Sequence, residues 1–178
     1  MVLCRIIDSD SMKKMHSKKL RDIRLLALDF DGVLTDNRVL VDENGKESVF
    51  CSRSDGYGIN HVAKQAGIET IVISLETNPV VKQRCGKLGI ECFTGVRDKL
   101  SLLKEVCTNK GLGMGEVCFM GNDITDCGCI ENAGFGVATA DSEPEAAKKA
   151  DYVTKKKGGK GAVREVCEML AAAKKAKK

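Results

Sequence analysis

Leu25-Leu26-Ala27-Leu28-Asp29-Phe30-Asp31-Gly32-Val33-Leu34-Thr35-Asp36 is the stretch from which the rest of the chain can be read. An apolar run of strand length ends in two carboxylates two residues apart, followed by glycine. In extended backbone, residues i and i+2 point the same way, so Asp29 and Asp31 converge on one spot. Burying one carboxylate at a strand end is costly, and a second beside it adds repulsion. A cation between them offsets both penalties. A hard divalent ion with oxygen ligands, Mg2+ above all, suits such a site. Gly32 is expected to let the backbone approach whatever binds there. An acidic turn after a hydrophobic strand accounts for the Asp pair alone equally well, because Asp and Gly are ordinary turn residues.

Downstream, two β-prone runs within residues 38–50 flank Asn44-Gly45, the strongest short hairpin signal. A hairpin inserted after the first strand projects over that strand's carboxyl end. It is marginally stable alone, so it is expected to pack on something, a second subunit being one candidate. Strand and helix then alternate. Arg53-Ser54-Asp55-Gly56-Tyr57-Gly58-Ile59 leads into a helix that Gly67 stops, and a β-branched strand over 68–74 ends in Ser74. Asn78 caps a helix with Pro79 at its first position, and Gly89 ends it. A strand over 90–94 precedes a helix over 98–109 that carries Lys99. A strand over 116–120 runs into Gly121-Asn122-Asp123-Ile124-Thr125-Asp126. Strands over 135–138 and 152–154 alternate with helices over 143–149 and 161–173.

This pattern predicts an α/β fold, a doubly wound parallel sheet with helices on both faces and right-handed crossovers. The expected organisation is a variable leader over 1–22, one domain over 23–173 and a basic tail over 174–178. In such sheets ligands bind beyond the carboxyl ends of the strands, where Asp29, Asp31, Ser74, Lys99, Asn122, Asp123 and Asp126 all fall.

Composition narrows the function classes. The 178 residues are 43% hydrophobic and 30% charged, with net charge +4, which fits a globular domain with a full core. Lysines at 155–157 and 174–178 have no aromatics between them, so they read as solvated surface and no nucleic-acid partner is expected. No apolar run is long enough to span a membrane. Nine cysteines, an odd count with no signal-peptide pattern ahead of them, read as free thiols in a reducing cytoplasm. Cys127-x-Cys129 lacks a second pair, which argues against zinc. Gly111-Leu112-Gly113-Met114-Gly115 precedes a strand instead of following one, which argues against a dinucleotide loop.

A carboxylate, a hydroxyl, a lysine and a second acidic cluster at successive strand ends make a phosphoryl-transfer set. A carboxylate can accept the phosphoryl group and split one difficult step into two. Cationic and hydroxyl groups hold the remaining oxygens. Apolar strand, Asp-x-Asp-Gly, then Thr35-Asp36 resembles the first signature of the haloacid-dehalogenase-like phosphatases, and residues 24–170 contain stretches similar to all four of that family's motifs. The resemblance implies that Asp29 is the nucleophile, Asp31 the general acid/base, and Ser74 and Lys99 the phosphate grips. It also implies a Mg2+ held by Asp29, Asp31 (through its backbone carbonyl) and Asn122, with Asp123 and Asp126 in support. Phospho-accepting receiver domains use similar groups, but place an adjacent acidic pair after strand one and their acceptor after strand three.

Arg53-x-Asp55-Gly56-Tyr57-Gly58-Ile59 and Gly158-Gly159-Lys160-Gly161-Ala162-Val163-Arg164-Glu165 resemble the capless subgroup that includes 3-deoxy-octulosonate 8-phosphate phosphatases and nine-carbon sugar-acid (sialic acid) 9-phosphate phosphatases. That resemblance implies a phosphorylated 2-keto-3-deoxy sugar acid as substrate, Arg53, Gly56, Gly158 and Gly159 at its pocket, and a homotetramer joined through the hairpin. Octulosonate members follow the strand-two hydroxyl with Gly-Arg; here Ser74-Leu75-Glu76 and then Arg84 resemble the nine-carbon branch. Arg84 is a natural carboxylate clamp or simply a solvated helix residue, and Glu76 can accept from a hydroxyl. Asn122 stands where a metal-binding Asp is usual and brings no charge. That departure leaves open an idle oligomerisation module like the C-terminal domain of some acylneuraminate cytidylyltransferases.

Overall fold

The computed structural model describes residues 19–176; most of the expected leader and the last two residues of the expected tail lie outside them. Strand β1 (Leu25–Leu28) is buried on both faces and alternates between two cores. Leu26 and Leu28 enter one hydrophobic cluster, Leu25 and Ala27 the other, as the two-residue period of a strand requires. The main sheet has the order β5-β4-β1-β6-β7-β8 and every pairing in it is parallel. Its strands are β4 (Glu69–Ile73), β5 (Glu91–Phe93), β6 (Val117–Gly121), β7 (Phe135–Ala138) and β8 (Tyr152–Val153). With β4 on one side and β6 on the other, β1 delivers Asp29 to the middle of the sheet's carboxyl edge.

The hairpin is β2 (Thr35–Val41) and β3 (Glu47–Cys51), paired antiparallel with a register shift between Thr35 and Val39. Its turn is closed by Asp42 Oδ1, which accepts from Asn44 N and Lys46 N, and by Gly45 at φ 77°. Val39, Leu40, Val41 and Phe50 are each more than half exposed, at 53, 64, 53 and 66%.

Helix α1 (Arg53–Tyr57) continues as a π-helical turn (Gly58–Ala63) and a 3-10 turn (Lys64–Ala66) before Gly67. Helix α2 (Val80–Leu88) starts where Asn78 Oδ1 accepts from Val80 N at 3.0 Å and ends at Gly89, whose φ of 66° suits a residue without Cβ. Helices α3 (Lys99–Asn109), α4 (Cys127–Asn132), α5 (Pro144–Lys149) and α6 (Ala162–Lys175) complete the layers. One face of the sheet is covered by α2, α6 and the 53–66 segment, the other by α3, α4 and α5.

Helix α4 has no counterpart in the sequence reading. It is six residues long with Gly128 inside it, so it carries no usable period. Packing supplies the order instead: Cys129 and Ile130 are buried against the second cluster. The eight cysteines described are all free.

The ordered core also reaches outside the expected boundaries. Leu20 is buried with the first cluster, and Lys19 Nζ lies 3.0 Å from Asp151 Oδ1. Helix α6 includes Lys174 and Lys175, and Lys174 Nζ donates to Arg21 O at 3.4 Å. Among the described residues there is no second domain over the sheet, and no helix long and apolar enough to cross a membrane.

Candidate active site

The parallel ladder persists one residue past β1, because Asp29 N donates to Met120 O at 2.9 Å. This holds Asp29 rigidly at the sheet edge with 7% of its surface exposed. Lys99, the first residue of α3, follows Asp98, whose Oδ1 accepts from Ser101 N at 3.0 Å as an N-cap. The capped helix aims a buried ammonium under the edge: Lys99 Nζ is 2.8 Å from Asp29 Oδ1 and 2.7 Å from Asp126 Oδ1. Asp126 Oδ2 accepts in turn from Asn122 N (2.9 Å) and Asp123 N (3.2 Å). Gly121 is required at that turn, since a Cβ there would collide with the Asp126 carboxylate.

Two buried carboxylates around one ammonium shape the electrostatics. Burial lifts the Asp29 pKa, the Asp126 charge adds to it, and Lys99 pulls it back only to about 7. Burial alone would lower Lys99, but the two carboxylates outweigh it and hold it above its ordinary value. Asp31 is also raised, chiefly by burial, against a hydrogen bond from Thr35 that favours the carboxylate. Thr35 Oγ1 donates to Asp31 Oδ1 at 3.2 Å and accepts from Gly32 N (3.1 Å) and Asn37 N (3.2 Å). Thr35 thus ties the second acid to the start of the hairpin.

A cavity of about 280 Å3 lies over this edge and is lined by Asp29, Asp31, Ser74, Glu76, Lys99 and Asn122, with Asp123 and Asn37 also on its walls. Ser74 is placed by its own amide, which donates to Phe93 O at 2.9 Å, and its Oγ accepts from Glu76 N at 3.1 Å. Glu76 Oε1 accepts from Thr77 N and Asn78 N, which fixes the carboxylate in the turn after β4.

Asn122 Oδ1 is buried and has no hydrogen-bond partner. A buried carbonyl oxygen without a donor is costly; one beside two carboxylates of raised pKa is an oxygen donor set for a hard cation. The residues present therefore fit Mg2+, which Asp29, Asp31 and Asn122 would hold. Gly32, at φ 76°, serves this arrangement directly: a Cβ there would collide with Asn122 Nδ2. The close approach expected at Gly32 is made by the Asn122 side chain. Asp126, expected in support of the metal, has both oxygens engaged by Lys99 and by backbone amides. Its part is to position Lys99 and the 121–123 turn.

The remaining expected substrate residues fall into two other places. Arg53, Gly56 and Arg84 flank a separate cavity of about 480 Å3 together with Lys87 and His61. Arg84 Nη2 donates to Ser52 O at 3.0 Å and its Nε is buried without a partner. Gly56 packs on α2, a Cβ there lying 2.9 Å from Leu88 Cδ2. Gly158 and Gly159 face the loop after β1: their Cβ atoms would collide with the Gly32 and Thr35 backbone, and Gly159 N donates to Val33 O at 2.9 Å. The start of α6 is occupied by the chain's own carboxylate. Asp55 Oδ2 accepts from Gly161 N (3.2 Å) and Oδ1 from Arg164 N (2.8 Å). Thr35 and Asp55 are the structurally important polar residues to which the sequence reading gave no role.

Known proteins share this architecture. Residues 82–166 match the model of the haloacid dehalogenase-like hydrolases. The 3-deoxy-D-manno-octulosonate 8-phosphate phosphatase of Escherichia coli is 39% identical over 153 residues, which cover 85% of this chain and 81% of that one. A crystal structure of 3-deoxy-D-manno-octulosonate 8-phosphate phosphatase from Moraxella catarrhalis, in complex with magnesium ion, phosphate ion and KDO, superposes with a TM-score of 0.88 at 32% identity, covering 92% of this chain and 94% of that chain. The cobalt-bound form of the corresponding Haemophilus influenzae phosphatase gives a TM-score of 0.84 at 30% identity, with 88% and 92% covered. With its six-stranded parallel sheet and relatives of this identity over most of its length, the chain belongs to the haloacid dehalogenase-like hydrolases.

Proposed function

We propose that this protein is a Mg2+-dependent phosphatase that hydrolyses the phosphate monoester of a 2-keto-3-deoxy sugar acid, with a nine-carbon acid preferred. The observation that carries the reading is the convergence of Asp29, Lys99 and the unpartnered Asn122 Oδ1 in one cavity. An Asp29 oxygen attacks phosphorus, forming an aspartyl-phosphate as the bond from phosphorus to the leaving oxygen breaks. Asp31 gives its proton to that leaving alkoxide. It then takes a proton from the attacking water as the bond from phosphorus to Asp29 breaks, releasing inorganic phosphate and restoring both carboxyl groups. Lys99 and Ser74 hold the phosphoryl oxygens. Asp29, the Asp31 backbone carbonyl and Asn122 would hold Mg2+, which would supply charge neutralisation on the transferring group.

Glu76 supports the nine-carbon preference, because its fixed carboxylate on the cavity wall can accept from a hydroxyl of the longer polyol chain. The placement of Arg84 beside another cavity favours the eight-carbon reading instead. Phosphate release from octulosonate 8-phosphate and from nonulosonate 9-phosphates, with and without Mg2+, decides between them. A kcat/KM at least about tenfold higher on a nine-carbon substrate, roughly 1.4 kcal/mol of discrimination, supports the preference; equal or reversed values remove it. No release from either compound by an intact oligomer favours the idle module.

The exposed apolar residues Val39, Leu40, Val41 and Phe50 support assembly through the hairpin, as a homotetramer. Its test is the mass in solution. Free thiols throughout the described chain fit a cytoplasmic setting.

A further inference from the structure

Asn37 is the one non-glycine among the described residues with positive φ, at 62°. It sits in the register shift at the base of the hairpin, where the chain turns away from the sheet edge. Glycine holds that backbone conformation without steric cost, and Asn is among the few side chains that tolerate it. What Asn adds over glycine is an amide. That amide is exposed and lines the same cavity as Asp29 and Asp31, on walls it shares with Leu75 and Glu76. Its backbone is pinned by Thr35 Oγ1, the atom that also donates to Asp31 Oδ1. The position of Asn37 is therefore locked to that of the acid that protonates the leaving group.

The cavity's floor is formed by buried Asp29 and Lys99, and exposed Asn37 at its rim offers an uncharged donor and acceptor beside the Glu76 carboxylate. The phosphoryl group belongs at the floor, so the rim faces the leaving alcohol. The geometry points to Asn37 as a specificity-determining residue whose side-chain amide binds a hydroxyl of the leaving polyol beside Asp31. A neutral amide suits that task, because it both donates to and accepts from a hydroxyl and adds no repulsion towards the phosphate. This rests on the phosphatase reading above and deepens it by naming the group that recognises the polyol end.

The test uses n-propyl phosphate and glycerol 1-phosphate, primary monoesters of equal chain length that differ only in hydroxyl groups. For the full chain with Mg2+, kcat/KM is expected to favour glycerol 1-phosphate by roughly 3- to 10-fold, the worth of one neutral hydrogen bond. In Asn37→Gly, which suits the same φ, the ratio is expected to fall at least about threefold below that of the wild type, any part due to Glu76 being common to both proteins. Each ratio is taken within one protein, so any loss of folded enzyme cancels. Where turnover is slow, the ratio of inhibition constants against p-nitrophenyl phosphate reads the preference in binding, with the same expected loss in Asn37→Gly. Absence of the preference in the wild type, or its survival in Asn37→Gly, overturns the proposal. The sugar-acid reading is tested separately, by the eight- and nine-carbon substrates, and the two can fail independently.

Discussion

Lys99 Nζ lies 2.7 Å from Asp126 Oδ1, and Asp126 is completely buried while its other oxygen holds the 121–123 turn. The lysine that lines the cavity is thus anchored from behind by a carboxylate that does not line it. Lys99→Met keeps much of the volume but leaves Asp29 and Asp126 without their counter-ion. Turnover is expected to fall by about 100-fold or more. Stability without metal is expected to fall by about 3 kcal/mol at pH 7.5. The sign with pH follows from the direction of the Asp29 shift. A carboxyl whose folded pKa lies above its unfolded value of 3.8 takes up a proton on folding, so stability is lost as pH rises through the folded value. That value is already about 7 with Lys99 present. The variant should therefore recover much of its deficit at pH 5, and urea melts in EDTA at the two pH values check this.

Asp29→Asn removes the proposed nucleophile and one negative charge from a crowded edge. The protein is expected to fold, with metal-free stability at neutral pH equal to or above the wild type, because one buried charge is gone. Phosphate release is expected to drop by about 1,000-fold or more. Rapid quenching of the wild type should reveal a phosphoryl adduct on the 25–36 stretch, and the variant should show none. Undiminished turnover in the variant contradicts the assignment of the nucleophile.

Gly32→Ala tests the link between backbone conformation and the Asn122 oxygen proposed to hold the metal. A Cβ at φ 76° is strained in itself, and it would collide with Asn122 Nδ2. The Asn122 side chain has to move, and its Oδ1 moves with it. The variant is expected to lose about 1–2 kcal/mol of stability and to need several-fold more Mg2+ for half-maximal activity. A Mg2+ titration of phosphate release, run beside a thermal melt, separates the two effects.

What the sequence showed of this site, and what it did not, divides by the range of the interactions involved. Asp29 and Asp31 were legible because a strand's two-residue period and a following glycine are local facts. Ser74, Lys99 and Asn122 were legible because parallel strands deliver their carboxyl ends to one edge. The destination of Arg84 was not, because it depends on how α2 rolls against the Ser52 carbonyl. Gly158 and Gly159 read as a substrate loop but pack on the backbone of Gly32 and Thr35, more than 120 positions earlier in the chain. Helix α4 is too short to carry a period of its own and is defined by the core it covers. Asp55 looked like one polar residue in a glycine-rich run, and its role exists only once α6 starts beside it.

That role of Asp55 yields the last prediction. Its carboxylate, with no exposed surface, accepts from Gly161 N and Arg164 N and so takes the place of an N-cap for α6 from another part of the chain. Asp55→Asn keeps one acceptor but turns an N–H towards the other amide. The expected cost is about 1–2 kcal/mol, and it should appear as a lower urea midpoint with an unchanged slope. Burial raises the Asp55 pKa, against the pull of the two backbone hydrogen bonds. A carboxyl raised on folding contributes most below its unfolded value of 3.8 and progressively less as pH rises through its folded value. The gap in stability between wild type and Asp55→Asn should therefore narrow as pH rises from 4 to 7. A gap that widens with pH instead would mean that the two hydrogen bonds outweigh burial and that the shift has the opposite sign.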